Sequence, residues 1–131
     1  MKEIDPITME ILSNAILSIC EEMGLVLSGT ARSTNLRESG DFSCTLHDNN
    51  GQLVGQTNTL PALASLSRTA VFELREHIAI DYTEPGDIFF TNHLEVGGSH
   101  LSDVKAIAPI FYGNEIVAWV ANCAHWTDIG G

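Results

Sequence analysis

The chain has 131 residues, 44% apolar and 18% charged, a balance that suits one soluble domain with its own core and excludes a disordered chain or two independent domains. Its formal net charge is -11, and the six basic residues, Lys2, Arg32, Arg37, Arg68, Arg75 and Lys105, form no run, which argues against nucleic acid and an anionic membrane surface. Three cysteines, Cys20, Cys44 and Cys123, are odd in number and lack CxxC pairing, so a reduced, cytoplasmic setting is expected.

The N-terminus runs MKEIDP without a signal-peptide pattern, and no apolar run approaches the roughly 20 residues of a membrane helix. Asp5-Pro6 is a helix start, and Ile7, Ile11, Leu12, Ala15, Ile16, Ile19, Met23 and Leu27 then recur at three- and four-residue steps. That spacing predicts an amphipathic helix of about five or six turns, ending near Gly29. Residues 30–41 are polar and turn-rich and read as a loop. Phe42 to His47 and Gln52 to Gln56 read as a hairpin turned at Asn50-Gly51. A second helix is expected from Ala62 to Ile80, with Leu63, Leu66, Ala70, Leu74 and Ile78 as its apolar stripe. After a turn at Glu84–Asp87 comes a short buried strand, Ile88 to Phe90. Val104 to Phe111 and Ile116 to Ala124 form a last hairpin. The expected fold is α+β, with two long helices packed on a mostly antiparallel sheet of hairpins.

The same spacing occurs at both ends of the last hairpin: His100-Leu-Ser-Asp103 and His125-Trp-Thr-Asp128. If Gly113-Asn-Glu115 is a three-residue loop, Tyr112 faces Ile116 and Asp103 faces His125, with Cβ atoms about 4.5–5.5 Å apart. A two-residue loop would instead turn His125 to the other face. His100, just before the strand, could bend onto the same centre, helped by Gly97-Gly98. Two imidazoles and one or two carboxylates suit a divalent Zn, Mn or Fe ion. The plainer reading is of polar residues at strand ends, capping turns and facing water. The geometry permits a shared ion and does not require one.

Other polar candidates carry less. Asp41 at a strand start reads as a turn or capping residue, His47 as a solvated neighbour of a turn, and His77 as a surface residue. His93 is placed to line the same pocket as His100. Cys44 and Cys123 on apolar strands read as small buried thiols. Ser99 and Ser102 belong to no nucleophile elbow, and no phosphate-cradling glycine loop is present.

The landmarks DPITMEILSNAI, EEMG, DFSC, GQLVGQ, PGDIFFTN, GGSHLSD and AHWTDIGG, in that order, give the chain a close resemblance to the N-terminal part of the hydantoinase B/oxoprolinase family. Members are several times longer, so the resemblance implies a truncated domain over residues 1–131. The family's motifs imply a metal site held by Asp41, His100, Asp103 and His125, with Asp128 as a general base or substrate contact. The chain departs from the family at Asn92-His93-Leu94, where Asn-Asp-Pro is common, and at Ser102, where proline is usual. It also has Leu63-Ala-Ser65 where a His-Leu-Gly stretch is common.

The activity the resemblance implies is ATP-dependent hydrolysis of a cyclic amide such as a hydantoin or 5-oxoproline. A hydantoinase A-type partner subunit would use ATP to activate the lactam, in a hetero-oligomer. Two rivals follow from the same residues: a ketone carboxylase of the acetone or acetophenone type, and a non-catalytic remnant that binds only metal or a partner.

Overall fold

A computed structural model describes residues 4–77 and 82–130. Helix α1 spans Pro6–Thr30, α2 Thr34–Arg37 and α3 Pro61–His77; the strands are β1 Phe42–Asp48, β2 Leu53–Gln56, β3 Phe89–Thr91, β4 Asp103–Tyr112 and β5 Glu115–His125. The strands form one sheet in the order β2-β1-β5-β4-β3, and every neighbouring pair is antiparallel. The expected α+β class, with helices on an antiparallel sheet of hairpins, is the fold observed.

Helix α1 begins as its sequence dictates. The Asp5 carboxylate accepts the free N–H groups of Ile7 and Thr8 at 3.1 and 3.0 Å, and Pro6 needs no partner in the first turn. The helix stops at Ala31, which turns extended while its N–H still reaches the Leu27 carbonyl. It lies flush on the β1–β2 hairpin because Gly55 has no side chain; a Cβ there would overlap Ile16. Met23, Leu27 and Ala31 pack with Leu36, Phe42, Cys44 and Ala124 in one core cluster.

Strand alternation sends the neighbours of these residues to the other face, under α3. There Ala70 and Val71 pack on Ile107, Trp119 and Ala121, with Leu74, Phe89, Val96 and Ile116 around them. The molecule is therefore helix, sheet, helix in section. At 25 residues α1 is, by length and composition alone, long and apolar enough to cross a membrane, a property its amphipathic spacing does not suggest. Its apolar character is partly spent on the sheet; Ile7, Ile11 and Leu25 remain exposed.

Several expectations need correction. Residues 34–37 form the short helix α2 inside the stretch read as a loop. The first hairpin turns through three residues, Asn49 to Gly51, with the Asp48 carboxylate accepting the N–H groups of Asn50 and Gln52. The described part of α3 ends at His77, and Ile78 to Ile80 lie outside the described residues. The strand near residue 89 is not buried: Ile88 and Phe90 are exposed and only Phe89 turns inward.

The last hairpin turns through two residues, Gly113 and Asn114, rather than three. Gly113 has φ +61° and no other residue beside it takes positive φ, the pattern of a type II′ turn. The register then shifts between Ile110 and Phe111, because Val117 is an extra residue on β5. That bulge restores the pairing of Asp103 with His125.

Candidate metal centre

The row of side chains nearest the end of the sheet, on the α3 face, and the turn that precedes β4 build the site. Asp103 on β4 stands opposite His125 on β5. The His125 N–H turns away to the Asp41 carbonyl and the Asp103 N–H to the His100 carbonyl, at 3.0 and 3.1 Å. The two residues thus form a non-hydrogen-bonded pair, the kind in which side chains come closest. His100 arrives from the turn before β4, whose loop docks on α3 through Gly97.

Asp103 is 1% exposed and accepts four contacts. Ser99 Oγ donates to Oδ2 at 2.7 Å and the His100 N–H donates to it at 3.0 Å; His100 Nδ1 lies 3.4 Å from Oδ2 and His125 Nδ1 2.9 Å from Oδ1. Burial pushes the carboxyl pKa up, but hydrogen bonds from Ser99, His125 and His100 together outweigh it and hold the group at about 2. Asp103 is therefore an anion at neutral pH.

The imidazoles of His100 and His125 meet edge to face, centroids 5.4 Å apart. One nitrogen from each ring and an Asp103 oxygen all lie within 4.8 Å of one another. Ligands of one tetrahedral ion, each at about 2.1 Å, stand about 3.4 Å apart, so side-chain rotations would have to draw the three atoms closer to close the set. Two imidazoles and an ionised carboxylate are a fitting donor set for a divalent first-row metal. His100 is 68% exposed, which leaves the centre open to an arriving ion.

The register extends the row to Asp41, on the far side of His125 from Asp103, although its carboxylate stands outside the group of three. Asp128 is not in the group either. Its Oδ1 accepts the Gly130 N–H at 2.8 Å, and it lines a depression with Arg32, Ser33, Leu36, Trp126 and Thr127. His93 is exposed, and its Nδ1 accepts the Glu95 N–H at 3.3 Å. His77 is exposed as expected and pairs with Glu73.

Three residues have surroundings that the sequence did not signal. His47, read as solvated, is fully buried under α3 with Nε2 2.9 Å from Thr45 Oγ1, and burial lowers its pKa. Lys105 is fully buried one row behind Asp103, and its Nζ donates to the Asp103 carbonyl at 3.1 Å. Ser99, named in the sequence only as belonging to no nucleophile elbow, makes the shortest contact to Asp103. Cys44 and Cys123 are buried thiols as expected, pushed by burial up to about 12 and so unreactive.

The family model for hydantoinase B/oxoprolinase matches residues 5–131. The chain is 37% identical over 129 residues to 5-oxoprolinase of Dictyostelium discoideum, covering 98% of this chain and 10% of that protein. It is 32% identical over 133 residues to a Pseudomonas sp. strain NS671 protein named for the B-type component of a D-/L-hydantoinase, covering 99% of this chain and 22% of that one. Among solved structures, nucleotide-free acetone carboxylase superposes with a TM-score of 0.89 at 22% identity, over 97% of this chain and 17% of that chain. ATP-dependent caprolactamase from Pseudomonas jessenii gives 0.78 at 29% identity, over 99% and 22%. The chain thus spans a tenth to under a quarter of the proteins it resembles.

Proposed function

Because the chain belongs to the hydantoinase B/oxoprolinase family, we propose that it is the metal-holding part of an ATP-dependent cyclic-amide hydrolase. Its substrate would be a lactam that a hydantoinase A-type partner subunit has activated with ATP. The observation that carries this reading is the convergence of His100, Asp103 and His125 at the end of the β4–β5 hairpin. The names of the relatives support it, since 5-oxoprolinase, hydantoinase and caprolactamase all refer to cyclic amides.

His100, Asp103 and His125, joined by Asp41 from the same row, would hold a divalent Zn, Mn or Fe ion. When bound, such an ion would supply Lewis-acid activation of water near neutral pH. An unstrained lactam is a poor electrophile, and ATP-driven activation of its amide oxygen makes the carbon open to attack. Asp103, already ionised, holds the imidazoles in place; Asp128 acts as general base or contacts the substrate. Three free, buried cysteines are compatible with a reducing cytoplasm.

A ketone carboxylase is the second reading, since the acetone carboxylase fold is the same. Incubation of the chain with an A-type partner, ATP and a lactam in oxygen-18 water separates them. Label in the ring-opened product supports hydrolysis; bicarbonate-dependent ATP consumption with a ketone supports carboxylation. Neither activity leaves a non-catalytic remnant.

A further inference from the structure

We propose that the end of the sheet remote from the metal centre carries a second binding site, for a small monocarboxylate, in which Arg75 and Trp119 donate to the carboxylate. The β1–β2 and β4–β5 hairpins both turn at that end. The last turn of the described α3 lies over the first of them, where Arg75 Nη1 donates to the Asn50 carbonyl at 2.8 Å. Between these elements is a cavity of about 590 Å³ with Arg75 and Trp119 in its wall. Trp119 stands six residues before His125 on β5, which puts the cavity about 20 Å from the metal centre.

Two stranded donors carry the inference. Trp119 is 1% exposed, and its indole N–H has no acceptor among the described residues; the buried Nε–H of Arg75 has none either. A buried N–H without an acceptor is costly, so two of them on one cavity point to an oxygen brought by a ligand. Neither an indole N–H nor a guanidinium can accept a hydrogen bond, so the ligand group must. Arg75 Nη1 is taken by Asn50, which leaves the edge formed by Nε and Nη2. That planar fork, permanently charged, matches the two oxygens of a carboxylate. Glu115 lines the same cavity and opposes a second negative charge on the ligand. Phe111 and Ile116 give the rest of the ligand an apolar wall. The class is therefore a monocarboxylate with a compact apolar body.

The test uses the 131-residue chain with benzoate as the probe, benzamide as its neutral counterpart and succinate as a dianion. The chain has two tryptophans, so Trp126→Phe leaves one indole N–H resonance, that of Trp119, to follow by proton–nitrogen NMR. Benzoate should move that resonance saturably, with benzamide and succinate at least about tenfold weaker. Arg75→Gln should weaken benzoate about 10- to 100-fold, and Glu115→Gln should admit succinate. The contrast between benzoate and benzamide in the parent stands even if a variant fails to fold. His100→Ala/His125→Ala should bind benzoate as the parent does. No saturable movement in the parent, an equal response to benzamide, or undiminished binding in a folded R75Q chain would overturn the site. Loss of benzoate binding in a folded double histidine variant would also overturn it, by placing the probe at the metal centre.

Discussion

Asp103 and His125 face each other across a hairpin whose two-residue turn would, on its own, have put them on opposite faces of the sheet. The extra residue Val117 on β5 makes up the difference. Deleting Val117 should remove the bulge and still leave Ile110 opposite Ala118 and Asp103 opposite His125, so the variant should keep both its sheet content and its metal binding. Circular dichroism and a metal titration check this; a folded deletion variant that no longer binds metal would show that the bulge itself, and not the pairing alone, shapes the site.

Asp103 gives the site a pH signature. Its folded pKa, about 2, lies below the ordinary 3.8, so the folded state holds its proton less tightly than the unfolded chain. The stabilisation is present above about pH 4 and is lost as pH falls through 2, and amounts to about 2 kcal/mol. Urea unfolding of the parent and Asp103→Asn should differ by about that amount at neutral pH and converge between pH 4 and 2. A difference independent of pH over that range would contradict the assignment.

Lys105 places an ammonium group in the interior with, among the described residues, one acceptor, the Asp103 carbonyl, for three donors. A buried charge so poorly matched is replaced at little loss by an apolar side chain of similar length. Lys105→Met should therefore match or exceed the parent in denaturant midpoint, whereas Lys105→Ala, which leaves a cavity, should lose about 2–4 kcal/mol. A methionine variant as unstable as the alanine one would mean that the ammonium itself stabilises the fold.

Gly97 has φ +67°, and a Cβ there would overlap the Leu66 carbonyl of α3. Gly97→Ala should push the loop that carries Ser99 and His100 off α3 and lower metal affinity by an order of magnitude or more, with a loss of about 1–3 kcal/mol in stability. Unchanged metal affinity would show that the docking of this loop does not position His100.

The sequence made some of this legible and hid the rest for physical reasons. The His-x-x-Asp spacing and strand alternation give the Asp103–His125 pair, and the apolar steps in residues 7–27 give α1. The pairing follows from a three-residue loop in the sequence, while the chain uses a shorter turn plus a bulge; both routes preserve the register, and local turn chemistry does not distinguish them. His47 follows no burial signal because its neighbours Asp48 to Gly51 are turn residues; only packing of α3 over the strand covers it. Lys105 is hidden likewise, since a cation on a strand reads as solvent-facing until the next layer is placed. Asp41 enters the ligand set by resemblance, and the register brings it beside His125 without drawing its carboxylate into the group of three.

The most direct test of the central claim is the metal content of the purified chain, measured by mass spectrometry beside a His100→Ala/His125→Ala double variant. The account predicts close to one Zn, Mn or Fe per parent chain and none in the folded double variant. A folded parent chain that retains no metal after the ion is supplied would contradict it.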